Sequence, residues 1–251
     1  MRTKTSLAAA GLLSLVGILA AGTSTASPIV FQTAPGATTS GGPVSASASF
    51  SMSSPGSLQI TLNDTLANPN NVGQLLSGLS FSIPGFTTGT LTNSSSQDVT
   101  VAKGGGFKLG ASGTTTGWIL QSGFDLCDIC SGDSKGALAP KGLIIGPPDS
   151  SKFYANAGGS IAGNSAHNPF LYKTATYDLS ISGLPSNFTV SSVLFRFGTT
   201  FGKQTSIGEE CTSSGCSSTV PEPGALALFA AGLGALGFAL SYKRRRAARQ
   251  R

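Results

Sequence analysis

Hydrophobic and polar residues alternate along much of the chain between residues 44 and 198. Alternation with a period of two is typical of a strand that buries one face. Five segments show it clearly: residues 44–52, 58–62, 79–83, 175–181 and 188–197. Turn sequences rich in proline and glycine follow several of them, as at 54–56, 84–85 and 183–185. The pattern therefore predicts short strands joined by tight turns.

The remaining segments are less regular. Val99 and Val101 indicate a further strand, and the short apolar runs 118–120 and 143–145 indicate strands that are more deeply buried. A short helix is predicted over residues 72–77, capped by Asn71 and stopped by Gly78. Many short strands predict an all-β domain, and we expect an antiparallel β-sandwich of jelly-roll-like type over residues 44–219. Residues 27–43 read as an irregular leader.

The N-terminus has the order of a secretory signal peptide. Arg2 and Lys4 precede an apolar stretch over 6–22, and small residues follow at 23–27. We expect residues 1–26 to be removed by signal peptidase between Ala26 and Ser27, after passage through the Sec translocon. The alternative is an uncleaved anchor, but the apolar stretch is shorter than the ~20 residues that a membrane span needs.

A second apolar segment lies near the C-terminus. Residues 224–242 form an uncharged stretch of 19 residues, close to the ~20 that cross a bilayer. A cluster of basic residues follows it at once: Lys243, Arg244, Arg245 and Arg246. Basic clusters resist translocation, so the pattern predicts a single transmembrane helix over 224–242 with the tail 243–251 as a cytoplasmic stop-transfer element.

Val220, Pro221, Glu222 and Pro223 stand just before this apolar segment. Proline fixes its own backbone and disfavours helix in the residue before it, so the motif is predicted to be extended. With the apolar span and the basic tail, residues 220–251 resemble the PEP-CTERM sorting domain of Gram-negative bacteria. The alternative is an ordinary single-pass anchor that follows a Pro-Glu-Pro linker.

The resemblance implies an exported protein that is first anchored in the inner membrane. It implies recognition of Pro221, Glu222 and Pro223 by an exosortase, a membrane-embedded cysteine-type transpeptidase that removes the tail. Release to the cell surface or to an extracellular matrix that contains exopolysaccharide would follow.

The net charge of +6 does not indicate a nucleic-acid partner. Two of the positive charges lie in the signal peptide and six lie in the basic tail. Between residues 27 and 220 there are eight basic and nine acidic side chains, which leaves a net charge of −1. The basic character of the chain therefore reflects membrane targeting.

Four cysteines occur, Cys127 and Cys130 as a C-x-x-C and Cys211 and Cys216 near the sorting motif. Export to an oxidising compartment favours disulfides, but the sequence does not choose among the three possible pairings. A four-thiolate zinc site and a redox role are the alternatives.

No catalytic residues, metal site or cofactor are assigned. The single histidine, His167, is predicted to be a polar loop residue, because no Gly-x-Ser-x-Gly elbow accompanies it. Asp125, Asp128 and Asp133 cluster around the C-x-x-C without the spacing of an EF-hand loop. The leading hypothesis is a non-enzymatic structural or polysaccharide-associated module. The alternatives are a carboxylate-based hydrolase of extracellular glycans and a calcium-stabilised adhesin.

Overall fold

The computed structural model describes residues 27–128, 142–200 and 205–210. Within these ranges the chain forms fourteen strands and one short 3-10 helix, Val72–Gln74. The strands are β1 (Ile29–Thr33), β2 (Thr38–Thr39), β3 (Gly42–Pro43), β4 (Ala46–Ser54), β5 (Ser57–Asp64), β6 (Leu76–Ser82), β7 (Thr90–Val101), β8 (Phe107–Thr114), β9 (Ile119–Gln121), β10 (Asp125–Cys127), β11 (Ile144–Ile145), β12 (Phe170–Ser180), β13 (Ser191–Phe197) and β14 (Thr205–Glu210).

Eight of these strands form a closed ring in the order β12, β5, β4, β1, β14, β13, β6 and β11. Strand β11 completes the ring, because Ile144 pairs with Leu76 of β6 and also with Leu171 of β12. The β11–β12 pairing is parallel, and the other pairings along the ring are antiparallel. Strands β7 and β8 extend the sheet beside β12, and β10 and β9 extend it beside β6.

The prediction of an all-β domain is confirmed, but the predicted antiparallel β-sandwich is wrong. A sandwich has two separate sheets, whereas here one sheet closes on itself as an eight-stranded barrel. Alternation identifies strands from local sequence, but closure depends on the two-residue strand β11, which pairs with neighbours far away in the chain. The local pattern therefore carried no information about the closure.

Individual elements agree with the sequence to different degrees. Strands β4, β5, β6, β12 and β13 overlap the five alternating segments. Strand β1 lies in the segment predicted to be an irregular leader, and it pairs with both β4 and β14. Asn71 caps the 3-10 helix as predicted, with its side chain accepting from the Gly73 N–H, but Gly78 lies inside β6.

The transmembrane helix predicted over 224–242 lies outside the described residues. In the described part of the chain, no helix is both long and apolar enough to cross a membrane.

The interior of the ring is filled by apolar side chains. A row of phenylalanines, Phe31, Phe50, Phe81 and Phe124, crosses it with ring centroids 5.1–6.0 Å apart. A second, smaller core lies on the other side of β11, because Ile144 belongs to the first core while its neighbours at 143 and 145 belong to the second. Alternation thus lets a two-residue strand bury both of its faces.

The carboxylate of Asp64 lies where the ring closes. Asp64 is 1% exposed, and it accepts hydrogen bonds from the backbone N–H groups of Leu66 (3.0 Å), Leu76 (3.3 Å) and Gly146. Asp64 is the last residue of β5, Leu76 is the first of β6, and Gly146 directly follows β11. One side chain therefore joins three strands of the ring. The hydroxyl of Tyr154 adds a further link by donating to the Gly146 carbonyl oxygen at 2.8 Å.

A second carboxylate, the half-buried Asp128, lies just beyond β10. Its Oδ2 accepts from the Gly142 N–H at 3.1 Å, while the Gly142 carbonyl oxygen accepts from the indole N–H of Trp118 at 2.7 Å. Burial raises the pKa of Asp128 to about 6, although the Gly142 N–H opposes this effect. The folded chain therefore holds this proton more tightly than the unfolded chain does.

We expect Gly146→Ala to lower the free energy of unfolding by about 3 kcal/mol. An added Cβ would overlap the Leu66 carbonyl oxygen and would stand 2.9 Å from Oδ1 of Asp64. Urea unfolding followed by fluorescence measures the change. Gly159→Ala is the matched control, because its Cβ would meet nothing within 4 Å, and it is expected to change stability by less than about 0.5 kcal/mol. Equal stability of the two variants would contradict this account.

The raised pKa of Asp128 also predicts a pH dependence of stability. Between the ordinary value of 3.8 and about 6, the folded state binds more protons at Asp128 than the unfolded state. The free energy of unfolding therefore falls as pH rises through that window. Asp128→Asn removes this contribution, so urea midpoints measured at several pH values should depend less steeply on pH in the variant than in the parent. Parallel profiles would show that Asp128 does not hold its proton in this way.

Candidate functional site

The outward side of four neighbouring strands, β4, β5, β12 and β7, carries small polar side chains. Their inward neighbours are apolar or buried, so the two kinds of residue alternate along each strand. We call this surface the outer polar face, and it comprises Ser47, Ser51, Gln59, Thr61, Asn63, Asn93, Ser95, Thr174, Thr176 and Asp178, while Ser49 lies on the same side but is buried. All but Asp178 are uncharged.

Hydrogen bonds between strands hold these side chains in place. In one row, Thr174 donates to Asn63 Oδ1 at 2.7 Å, and Asn63 donates through Nδ2 to Ser47 Oγ at 3.2 Å. In another row, the amides of Gln59 and Asn93 donate to the two carboxylate oxygens of Asp178, at 3.0 and 3.2 Å. Cross-strand pairs of this kind restrict side-chain rotamers, so the outer polar face is an ordered surface.

A cleft of about 330 Å³ lies at one end of the outer polar face, and we call it the end cleft. Its size is at the lower limit of the ~300–1,000 Å³ typical of small-molecule sites. Its walls come from β4, β5, β12 and the segment after β11, and its lining residues are Ser47, Asn63, Asp64, Thr65, Pro147, Lys173 and Thr174. The cleft therefore lies beside the carboxylate that joins the strands of the ring.

Lys173 lies at an irregularity in β12. The register of β12 against β7 shifts between Leu171 and Ala175, and Lys173 has a positive φ of 63°. Its Nζ lies 4.7 Å from the centroid of the Tyr172 ring, which in turn stacks on Phe107 with centroids 5.8 Å apart. The bulge thus exposes the lysine at the cleft and places its ammonium group against an aromatic ring.

Asp64 lines the end cleft but is only 1% exposed. Burial raises its pKa well above the ordinary value of 3.8, and its three backbone N–H donors only partly oppose this effect. Those same donors occupy the carboxylate oxygens. The carboxyl group of Asp64 therefore has a structural role, which is to hold the strands of the ring together.

Most of the sequence-predicted sorting residues lie outside the described part of the chain. These are Ala26 at the signal cleavage point, the motif residues Val220, Pro221, Glu222 and Pro223, and the basic residues Lys243, Arg244, Arg245 and Arg246. Ser27, on the other side of the predicted cleavage point, is the first described residue.

One of the four cysteines lies within the described part of the chain. Cys127 is the last residue of β10, is fully buried and is disulfide-bonded, but its partner lies outside the described ranges. Cys130, Cys211 and Cys216 also lie outside them. The choice of pairing therefore stays a prediction.

The two described aspartates near the C-x-x-C, Asp125 and Asp128, have different partners. Asp125 forms an ion pair with Arg196 and accepts from Ser80 Oγ at 3.2 Å, whereas Asp128 accepts from Gly142. Asp133 lies outside the described residues. Among residues 27–128, 142–200 and 205–210, no group of three or more His, Cys, Asp or Glu side chains is placed to hold a metal ion.

His167 lies in a turn before β12, as predicted for a loop residue. Its backbone N–H donates to the Asn164 carbonyl oxygen at 3.3 Å.

Sequence reasoning did not identify the outer polar face. The polar positions of β4, β5 and β12 were available as a signal, because they alternate with the apolar ones. The end cleft was not accessible in this way, since it depends on the bulge at Lys173 and on the approach of Pro147.

The comparisons with known proteins concern the end of the chain. Residues 219–246 match the family model of the PEP-CTERM protein-sorting motif, which confirms the resemblance seen in the sequence. The curated proteins and the solved structures give no match. The motif implies export, processing by an exosortase, and sorting to the cell surface or the extracellular space. The chain is thus a PEP-CTERM domain-containing protein.

Proposed function

We propose that the exported domain is a non-enzymatic surface or matrix protein that holds extracellular polysaccharide on its outer polar face. The observation that carries the proposal is the ordered, almost uncharged array of hydroxyl and amide groups across four adjacent strands. The sorting motif supports it, because processing delivers the protein to the cell surface or beyond.

The chemistry of the array suits sugar hydroxyls. Each Ser or Thr hydroxyl has one donor and two acceptor positions, and each Asn or Gln amide has two donors and one acceptor oxygen. The bonds between Thr174, Asn63 and Ser47 use only part of this capacity. Because these side chains are already fixed by their neighbours, the protein would lose little additional side-chain entropy when it binds a ligand.

The width of the surface suits an extended ligand. Four strands separated by ~4.8 Å give a polar surface about 14 Å across. A surface of this form would contact several sugar units of a chain at once, so weak contacts at each unit would add up along the polymer.

The structural roles of three carboxylates support a non-enzymatic role. Hydrolysis of a glycosidic bond normally needs two carboxyl groups that face the substrate. Asp64 is held by backbone N–H groups, Asp125 by Arg196, and Asp178 by two side-chain amides. Each of these three groups therefore has a role within the fold.

We expect the exported protein to be retarded in native gels that contain dextran or xylan. Placing two cations on the outer polar face, by Thr61→Arg with Thr176→Arg, should weaken this retention about tenfold, since both side chains would cover the hydroxyl rows. Thr205→Arg is the matched control, because Thr205 is exposed on β14, outside this surface. Retention that is unaffected by the double substitution, or release of new reducing ends by the parent protein, would overturn the proposal.

A further inference from the structure

The end cleft differs from the outer polar face in its charge. Lys173 is exposed at the cleft, while the only acidic side chain that lines it, Asp64, is buried beneath. The one ion pair formed among the described residues joins Arg196 to Asp125 and does not involve this lysine. The cleft therefore presents a positive charge to a ligand.

The cleft also offers hydrogen-bond donors to a ligand. Some acceptors are already engaged: Asp64 by backbone N–H groups and Asn63 Oδ1 by the Thr174 hydroxyl. The ammonium of Lys173 offers three N–H donors, and the Asn63 amide has a second N–H beyond the one given to Ser47. These donors suit a ligand group that only accepts.

The position of Lys173 also suits it to contact such a group. The bulge in β12 exposes Lys173, and the Tyr172 ring below the ammonium group holds it by a cation–π contact. Pro147 supplies an apolar wall on another side of the cleft. A sugar ring that bears an anionic group has both features that this arrangement complements: an apolar ring face and a charged substituent.

We propose that the end cleft binds an anionic sugar unit, a hexuronate or a sulfated sugar, of an acidic polysaccharide, with the ammonium of Lys173 contacting the anionic group. This inference rests on the proposed function and narrows it. Neutral units of the same chain lie along the outer polar face, and the charged unit occupies the cleft at its end. The domain then discriminates among polysaccharides by one charge contact.

The test compares polygalacturonate, a sulfated dextran and plain dextran of similar length as ligands of the exported protein in affinity gels at low salt. The parent is expected to prefer at least one of the acidic polymers over plain dextran, and the preferred polymer distinguishes a carboxylate from a sulfate. Lys173→Gln should lower that preference about fivefold, while Lys173→Arg should keep most of it. The preference should also decline as salt is raised.

Lys152→Gln is the matched control. Lys152 is also exposed and also has a positive φ, 61° against 63° for Lys173, but it lies in the turn before Tyr154 and does not line the cleft. Equal losses of preference in the two glutamine variants would show general charge attraction and would overturn the inference. Urea midpoints of all variants show that each is folded.

The remaining outcomes separate the inference from the proposed function. A parent that binds plain dextran as well as both acidic polymers overturns the inference and leaves the proposed function standing. A parent that binds none of the polymers overturns both. A preference that disappears in Lys173→Gln alone supports both.

Discussion

The fold depends on one buried carboxylate. Asp64 accepts N–H groups from Leu66, Leu76 and Gly146, and these residues follow β5, begin β6 and follow β11. Strand β11 has only two residues, so its own ladder contributes few hydrogen bonds. A carboxylate combines two acceptor oxygens with no obligatory donor, which lets a single side chain satisfy three backbone donors away from water. Burial disfavours the charged form, and the three N–H groups offset part of that cost.

The surface chemistry follows from this closure. Because β11 is held against β12, the first residues of β12 bury both sides: Leu171 faces the interior of the ring, and Phe170 faces the second core. The bulge at Lys173 lies between these residues and the regular part of β12. The outer polar face follows the regular part, and the end cleft lies at the bulge. The position of the candidate site is therefore set by the point where the ring closes.

The sequence predicted the elements that depend on local pattern. Strands β4, β5 and β6 overlap the alternating segments, and the sorting motif was recognised because its proline and acidic residues stand in a fixed order before an apolar stretch. What it did not predict depends on contacts between distant residues. Asp64 reads as a polar residue at the end of a strand, and nothing near it in the chain shows that Gly146 will approach it. The positive φ of Lys173 likewise accompanies the register shift of β12 against β7, which depends on pairing between distant strands.

The most direct test of this account is the substitution Asp64→Asn. An amide nitrogen in place of Oδ2 would face the Leu76 N–H, leaving two donors opposed and buried. We expect a loss of about 2 kcal/mol or more in the free energy of unfolding, with faster hydrogen exchange at the Leu66, Leu76 and Gly146 amides. Asp178→Asn is the control, since that carboxylate contacts only side-chain amides on the outer surface, and it should cost less than about 1 kcal/mol. An Asp64→Asn protein with the stability and amide protection of the parent would contradict the claim that this carboxylate closes the ring.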